Sequence, residues 1–224
     1  MNIPNDAKVF DRAFQDWVRR TCETWDYQPP SEDDCREVYS RLPFGLRAML
    51  GGGIKRGLLL DVGQSKTGSA GFRRKGVAHS KGPYSWFERD SQKKQPRPTW
   101  EYYVQVAEYM RLTDLLSPRG CRLTFEDGYT DISLYEGERP VVCYEVKEHT
   151  KDLDDLIRDL RRLEEAIDWD APDRHDDALR KAKYIVQHCP SFYVYLAIGA
   201  RREFRVDFPE GKEFQLTPDI VPEI

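Results

Sequence analysis

The chain has 224 residues, 39% hydrophobic and 33% charged, with a formal net charge of −4, enough for one large domain or one domain with an appendage. Twelve Tyr and ten Phe argue against wholesale disorder, and no apolar run reaches the ~18 residues of a membrane span. The five Cys form no C-x-x-C pair and no Cys/His cluster has zinc-ligand spacing, which argues against a structural zinc site. With an N-terminus, Met-Asn-Ile-Pro-Asn-Asp, that lacks an apolar signal core, these thiols suggest a reduced, cytoplasmic setting.

Residues 6–24 carry Val9, Phe10, Ala13, Phe14, Trp17, Val18 and Cys22 at helical spacing. Tyr27-Gln-Pro-Pro30 stops that helix, and Ser31 followed by Glu32, Asp33 and Asp34 predicts a capped second helix to about Leu42. Gly51-Gly-Gly53 reads as a break. Residues 54–97 then hold eleven Lys/Arg against three acids, +8 in one segment and −12 in the remainder. Seven of the fifteen Gly lie between 53 and 82, so a mobile basic loop is expected, with one short strand at 58–62. Such asymmetry points to a polyanion. Arg73, Arg74, Lys75, Lys81, Lys93 and Lys94 are the candidate phosphate contacts, with Phe72, Tyr84, Trp86 and Phe87 placed to stack on bases. His79, among these basic residues, is a further possible phosphate contact. Gly63-Gln-Ser-Lys-Thr-Gly68 fails the P-loop pattern, because no Lys follows its last Gly. Asp61-Val-Gly63 resembles the phosphate turn of sugar kinases and actin, but the chain is too short for that two-lobed fold.

From Thr99 the pattern sharpens. Thr99 is a candidate cap for a helix over 100–116. Strands are predicted at 120–126, 129–135 and 140–147, joined by turns at Gly128 and Glu136-Gly137-Glu138. An apolar stripe predicts a helix over 152–168, and a further helix covers 174–188. Phe192–Ile198 reads as a buried central strand, 203–208 as an edge strand, and the tail after Pro209 as loose. The implied division is a helical region (1–50), a basic Gly-rich loop segment (51–98), an α/β core (99–210) and a tail (211–224).

Within that core, Glu145 and Lys147 share one face of their strand, while Val142, Tyr144 and Val146 share the other. Asp131 sits on the preceding strand beside Ile132 and Leu134. Charges inside apolar, central strands need a reason. Two carboxylates and an ammonium at one sheet edge can hold a divalent cation and activate a water. The bland alternative is a solvated strand face with Asp131 as a cross-strand partner.

These residues and the order of elements around them resemble the PD-(D/E)xK, or restriction-endonuclease-like, nuclease superfamily. The likeness covers residues 99–208, about half the chain, and runs helix, three-strand antiparallel meander, helices, further strands. Asp131 matches the acid of the second strand, Glu145 and Lys147 the D/E-x-K pair of the third, and Thr130 stands where the name-giving Pro would lie. The resemblance implies Mg²⁺ or Mn²⁺ bound by Asp131 and Glu145, with the Val146 carbonyl as a further ligand. It implies Lys147 as the transition-state stabiliser and Glu108, or alternatively Glu101, as an accessory helix acid. It also allows helix residues such as Lys183 and Gln187 near the site, and His149 on a phosphate. Asp127 is an alternative first acid but abuts Gly128, and Glu148 faces away from Glu145. The implied activity is metal-dependent hydrolysis of phosphodiester bonds, DNA favoured over RNA, in a restriction, mobile-element or defence setting. The competing expectations are a nuclease-like fold that binds nucleic acid without cutting it, and an assembly subunit. In the latter Phe10, Phe14, Trp17 and Val18 would bind a partner. A homodimer or a partner protein held through the N-terminal helices is expected, and no membrane contact.

Overall fold

The computed structural model describes residues 3–75, 83–116, 121–127 and 129–222. The chain divides into two compact units, Met1–Arg111 and Leu112–Ile224. Both mix helices with sheet, and among the described residues no helix is long and apolar enough to cross a membrane.

The first unit opens with three helices, α1 (Ile3–Trp25), α2 (Glu32–Tyr39) and α3 (Phe44–Lys55). Ser31 and Asp34 form the expected capping box at the start of α2. Gly51-Gly-Gly53 does not break the chain but lies inside α3. A Cβ on Gly51 would fall 1.8 Å from the Asp6 carbonyl oxygen, and one on Gly53 would fall 2.9 Å from Met110 Sδ. The small residues therefore allow close approach, which offsets their poor helix propensity of about 1 kcal/mol each.

The basic segment is also folded. Strands β1 (Leu59–Gln64), β2 (Ala70–Arg74) and β3 (Tyr84–Ser85) form an antiparallel sheet, and β4 (Phe87–Asp90) pairs with β5 (Gln95–Pro98). What drives this is aromatic burial. Phe72, Trp86 and Phe87 are fully buried and Tyr84 nearly so. Trp86 stacks between Trp17 (4.8 Å), Phe72 (3.9 Å) and Tyr103 (4.5 Å), centroid to centroid. These rings are core, so they are not available to bases. The same holds for Phe10, Phe14, Trp17 and Val18, whose expected partner-binding face lies inside this unit. Asp61 is held by the Trp17 indole, by Arg20 and by the Gly63 amide. The last helix, α4 (Trp100–Leu116), begins at the predicted place, but Thr99 Oγ1 makes no capping bond.

The second unit is built on one six-stranded sheet. Its strands are β6 (Arg122–Asp127), β7 (Thr130–Glu136), β8 (Arg139–Val146), β9 (Phe192–Ala197), β10 (Ala200–Asp207) and β11 (Gln215–Pro218). They lie side by side in chain order, antiparallel throughout except for β8 and β9, which are parallel. A parallel pair needs a crossover. Helices α5 (Thr150–Arg162) and α6 (Asp177–His188) provide it, packing Leu153, Leu160, Ala182 and Ile185 with Cys143, Tyr193 and Tyr195. Both helices are shorter than their apolar patterns suggest, because Leu163 to Asp176 includes a loop that still buries Ile167. The tail is not loose: β11 pairs with β10 and buries Phe214 and Leu216.

Candidate active site at a strand fork

The meander β6-β7-β8 ends in a fork. β7 and β8 pair, with one register shift between Leu134 and Tyr135, as far as Ile132 opposite Tyr144. Beyond that pair β8 continues along β9, with Glu145 opposite Tyr195, Val146 opposite Leu196, and the Lys147 amide donating to the Leu196 carbonyl (2.8 Å). The Val146 amide donates instead to Asp131 Oδ2 (2.6 Å). A carboxylate thus takes the place of a ladder acceptor. Asp131 and Glu145 come together here because alternation along the paired strands puts both on one face.

That face is the one covered by α5 and α6, so Glu145 is only 3% exposed. Lys147 Nζ donates to Glu145 Oε1 (2.9 Å) and to Asp177 Oδ2 (2.7 Å) on the first turn of α6. Lys181, also 3% exposed, lies one turn further along α6 with its Nζ 2.5 Å from Glu145 Oε2. Oε2 is thus ion-paired with Lys181 and has no further hydrogen bond among the described residues. The Lys181 ammonium donates to the Tyr129 carbonyl at the β6–β7 turn. Arg180 bonds the second oxygen of Asp177 (2.5 Å). Among the described residues three acids, Asp131, Glu145 and Asp177, thus stand with three cations, Lys147, Arg180 and Lys181.

The titrations follow from this arrangement. Burial by itself would lower the Lys147 ammonium, but Glu145 and Asp177 outweigh it and hold its pKa above the usual range. Burial would raise the Asp177 carboxyl, yet the bond from Lys147 and the charges of Lys147 and Lys181 pull it below. On the same face Tyr193 and Tyr195 stack at 4.9 Å with hydroxyls that find no hydrogen-bond partner among the described residues. Burial, then the Glu145 charge, keeps both phenols neutral. Burial likewise pushes the Cys143 thiol up to about 12.

Asp131, Glu145, Val146 and Lys147 are therefore grouped as the strand pattern predicts. Glu108 stands in the first unit, where both of its oxygens accept from Arg111 (2.7 and 2.8 Å). Glu101 is half-buried in the first turn of α4. Asp177 and Lys181 were not expected from the sequence, although a signal existed: Lys181 interrupts the buried stripe of Ala178, Leu179, Ala182 and Ile185. Lys183, weighed instead, ties down the preceding loop through the Trp169 and Ala171 carbonyls, and Gln187 is exposed. His149 is the exposed N-cap residue of α5, and Glu148 lies 3.5 Å from its ring. Asp127 pairs in register with Thr130 across the turn.

Of the basic candidates, Arg73, Lys75, Lys93 and Lys94 are exposed, whereas Arg74 is buried over the Tyr109 ring. Lys81 and His79 lie outside the described residues.

Comparison of the chain with protein-family models, with curated proteins and with solved structures finds no match. Among the described residues no three or more His, Cys, Asp or Glu side chains are grouped to hold a metal by themselves. An ion at the fork would have the Asp131 and Glu145 carboxylates and the Val146 carbonyl, and would complete its shell with water and substrate oxygens. Mg²⁺ binds in that manner, through one or two carboxylates, and it would meet a Glu145 whose two oxygens are already engaged by Lys147 and Lys181.

Proposed function

We propose that the chain is a metal-dependent nuclease with a restriction-endonuclease-like core, hydrolysing phosphodiester bonds at the β7–β8 fork, DNA in preference to RNA. One observation carries the reading: Asp131, Glu145 and Lys147, separated in sequence, meet where two strands of a central sheet part. The order of elements in the second unit, a three-strand meander followed by helices and a parallel strand, supports it.

Asp131 and Glu145 would hold Mg²⁺ or Mn²⁺, which supplies an acidified water and positive charge for the phosphoryl oxygens. Lys147 gives Glu145 and Asp177 two of its three N–H donors. The third can reach a phosphate oxygen. Held by Glu145 and Asp177, Lys147 would act as an electrostatic clamp rather than as a base. Asp177, bonded also by Arg180, fixes the angle at which that ammonium is presented. The exposed Arg73, Lys75, Lys93 and Lys94 would give salt-dependent contact with nucleic acid.

Incubation with plasmid, linear and single-stranded DNA and with RNA, in Mg²⁺, Mn²⁺ or EDTA, tests this. Cleavage should require the metal and fall at least about 100-fold in Asp131→Asn and in Lys147→Ala. Cleavage that survives EDTA or both substitutions sinks the assignment. A second reading, binding without cutting, is favoured by the two lysines that already engage both Glu145 oxygens. Tight, salt-sensitive binding with no cleavage in any metal would select it.

A further inference from the structure

We propose that Lys181 is the resident counter-cation of Glu145 and sets the metal affinity of the site, because a divalent ion must move this ammonium off Oε2. The inference rests on the metal-site reading above and goes beyond it by naming a residue that opposes the ion.

Lys147 and Lys181 are not equivalent. Lys147 is partly exposed, its side chain 22% accessible, and it divides its charge between two carboxylates, Glu145 and Asp177. Lys181 is 4% accessible; among the described residues its ion pair is with Glu145, its charge reaches Asp177 only through space, and it donates to the neutral Tyr129 carbonyl. Like charges repel strongly where water is excluded, so a dication on Glu145 and an ammonium 2.5 Å from the same oxygen do not share it. Lys147 can remain, because Asp177 keeps it on the open side. Lys181 is the group that must yield, and the Tyr129 carbonyl, already its acceptor, is an anchor from which its flexible stem can turn towards the β6–β7 turn. Without the ion, Lys181 completes the neutralisation of a buried carboxylate whose other cation, Lys147, is shared with Asp177.

The test is Mn²⁺ binding to the full chain, read by calorimetry or by the electron paramagnetic resonance of free Mn²⁺, in wild type, Lys181→Gln and Asp131→Asn. Removing the competing charge should tighten Mn²⁺ at least about tenfold in Lys181→Gln. Equal or weaker binding than wild type overturns the proposal. If wild type binds Mn²⁺, Asp131→Asn does not, and Lys181→Gln matches wild type, then this inference falls and the metal site stands. If neither wild type nor Lys181→Gln binds, both fall.

A second measurement needs no variant. In wild type, saturating Mg²⁺ should shift the Lys181 ε-methylene resonances while those of Lys183, two residues along α6, stay put. Lys181 resonances unmoved at saturation overturn the proposal even if Lys181→Gln fails to fold.

Discussion

The two units solve the problem of a polar composition in opposite ways. In Met1–Arg111 the core is a stack of aromatic rings, and the hydrophilic stretch between Gly57 and Pro98 folds because Phe72, Trp86 and Phe87 are drawn into it. In Leu112–Ile224 the core is aliphatic and tyrosine-rich, and a balanced set of charges is built into its sheet at the β7–β8 fork. Burial of apolar ring surface is non-directional and gains with the area removed from water. A buried ion pair gains little net stability, because desolvation offsets its attraction. Charges placed where stability does not require them point to chemistry, which is why the second unit, and not the basic segment, carries the functional argument.

The largest expected effect separates the two designs. Trp86→Ala removes a fully buried ring and should cost about 3–5 kcal/mol. It should be seen first in tryptophan fluorescence under urea, since four of the five Trp lie in the first unit. Lys181→Met should cost about 1–3 kcal/mol in the second unit, since it leaves one oxygen of the buried Glu145 without its partner while Lys147 keeps the other. There the likeness ends. Combining it with Glu145→Leu should recover most of the loss, because an apolar pair can replace a buried ionic one. If the double variant is no more stable than Lys181→Met alone, the charge set is not the self-contained unit described above.

A smaller effect concerns pH. Asp177 is depressed in the folded chain, so its contribution is present above its ordinary 3.8 and is lost as pH falls through the lower folded value. Lys147 is raised, so its contribution is fully present below 10.5 and is lost as pH rises through the folded value. Stability of the second unit, followed by far-ultraviolet circular dichroism, should therefore be level with respect to this pair between those limits. Asp177→Asn should flatten the acid limb by less than about 1 kcal/mol, since the group is a third exposed. An acid limb as steep as that of wild type would contradict the Lys147–Asp177 link.

How much of this was legible in sequence follows the same division. Alternation put Glu145 and Lys147 on one face, because strand period is a local property, and the preceding strand carried Asp131. Asp177 and Lys181 reach the site through a helix more than 30 residues later in the chain, and only the crossover brings them back. Lys181 left a trace as a lysine in a buried stripe. In the first unit the glycines of α3 read as a break because their reasons lie far away in sequence, the Asp6 backbone for Gly51 and the Met110 side chain for Gly53. The basic segment read as loop because charge density masks aromatics that pack on one another and on rings of α1 and α4 far away in sequence.

The central claim is that the fork, rather than any exposed acidic run, receives the metal. Amide nuclear magnetic resonance during a titration with paramagnetic Mn²⁺ tests it residue by residue. The account predicts that the signals of Asp131, Val146 and Lys147 broaden first, followed by those of Asp177 and Lys181. Broadening confined to the solvent-facing acids of α5, Asp152 to Asp155, with the fork unaffected, would contradict it.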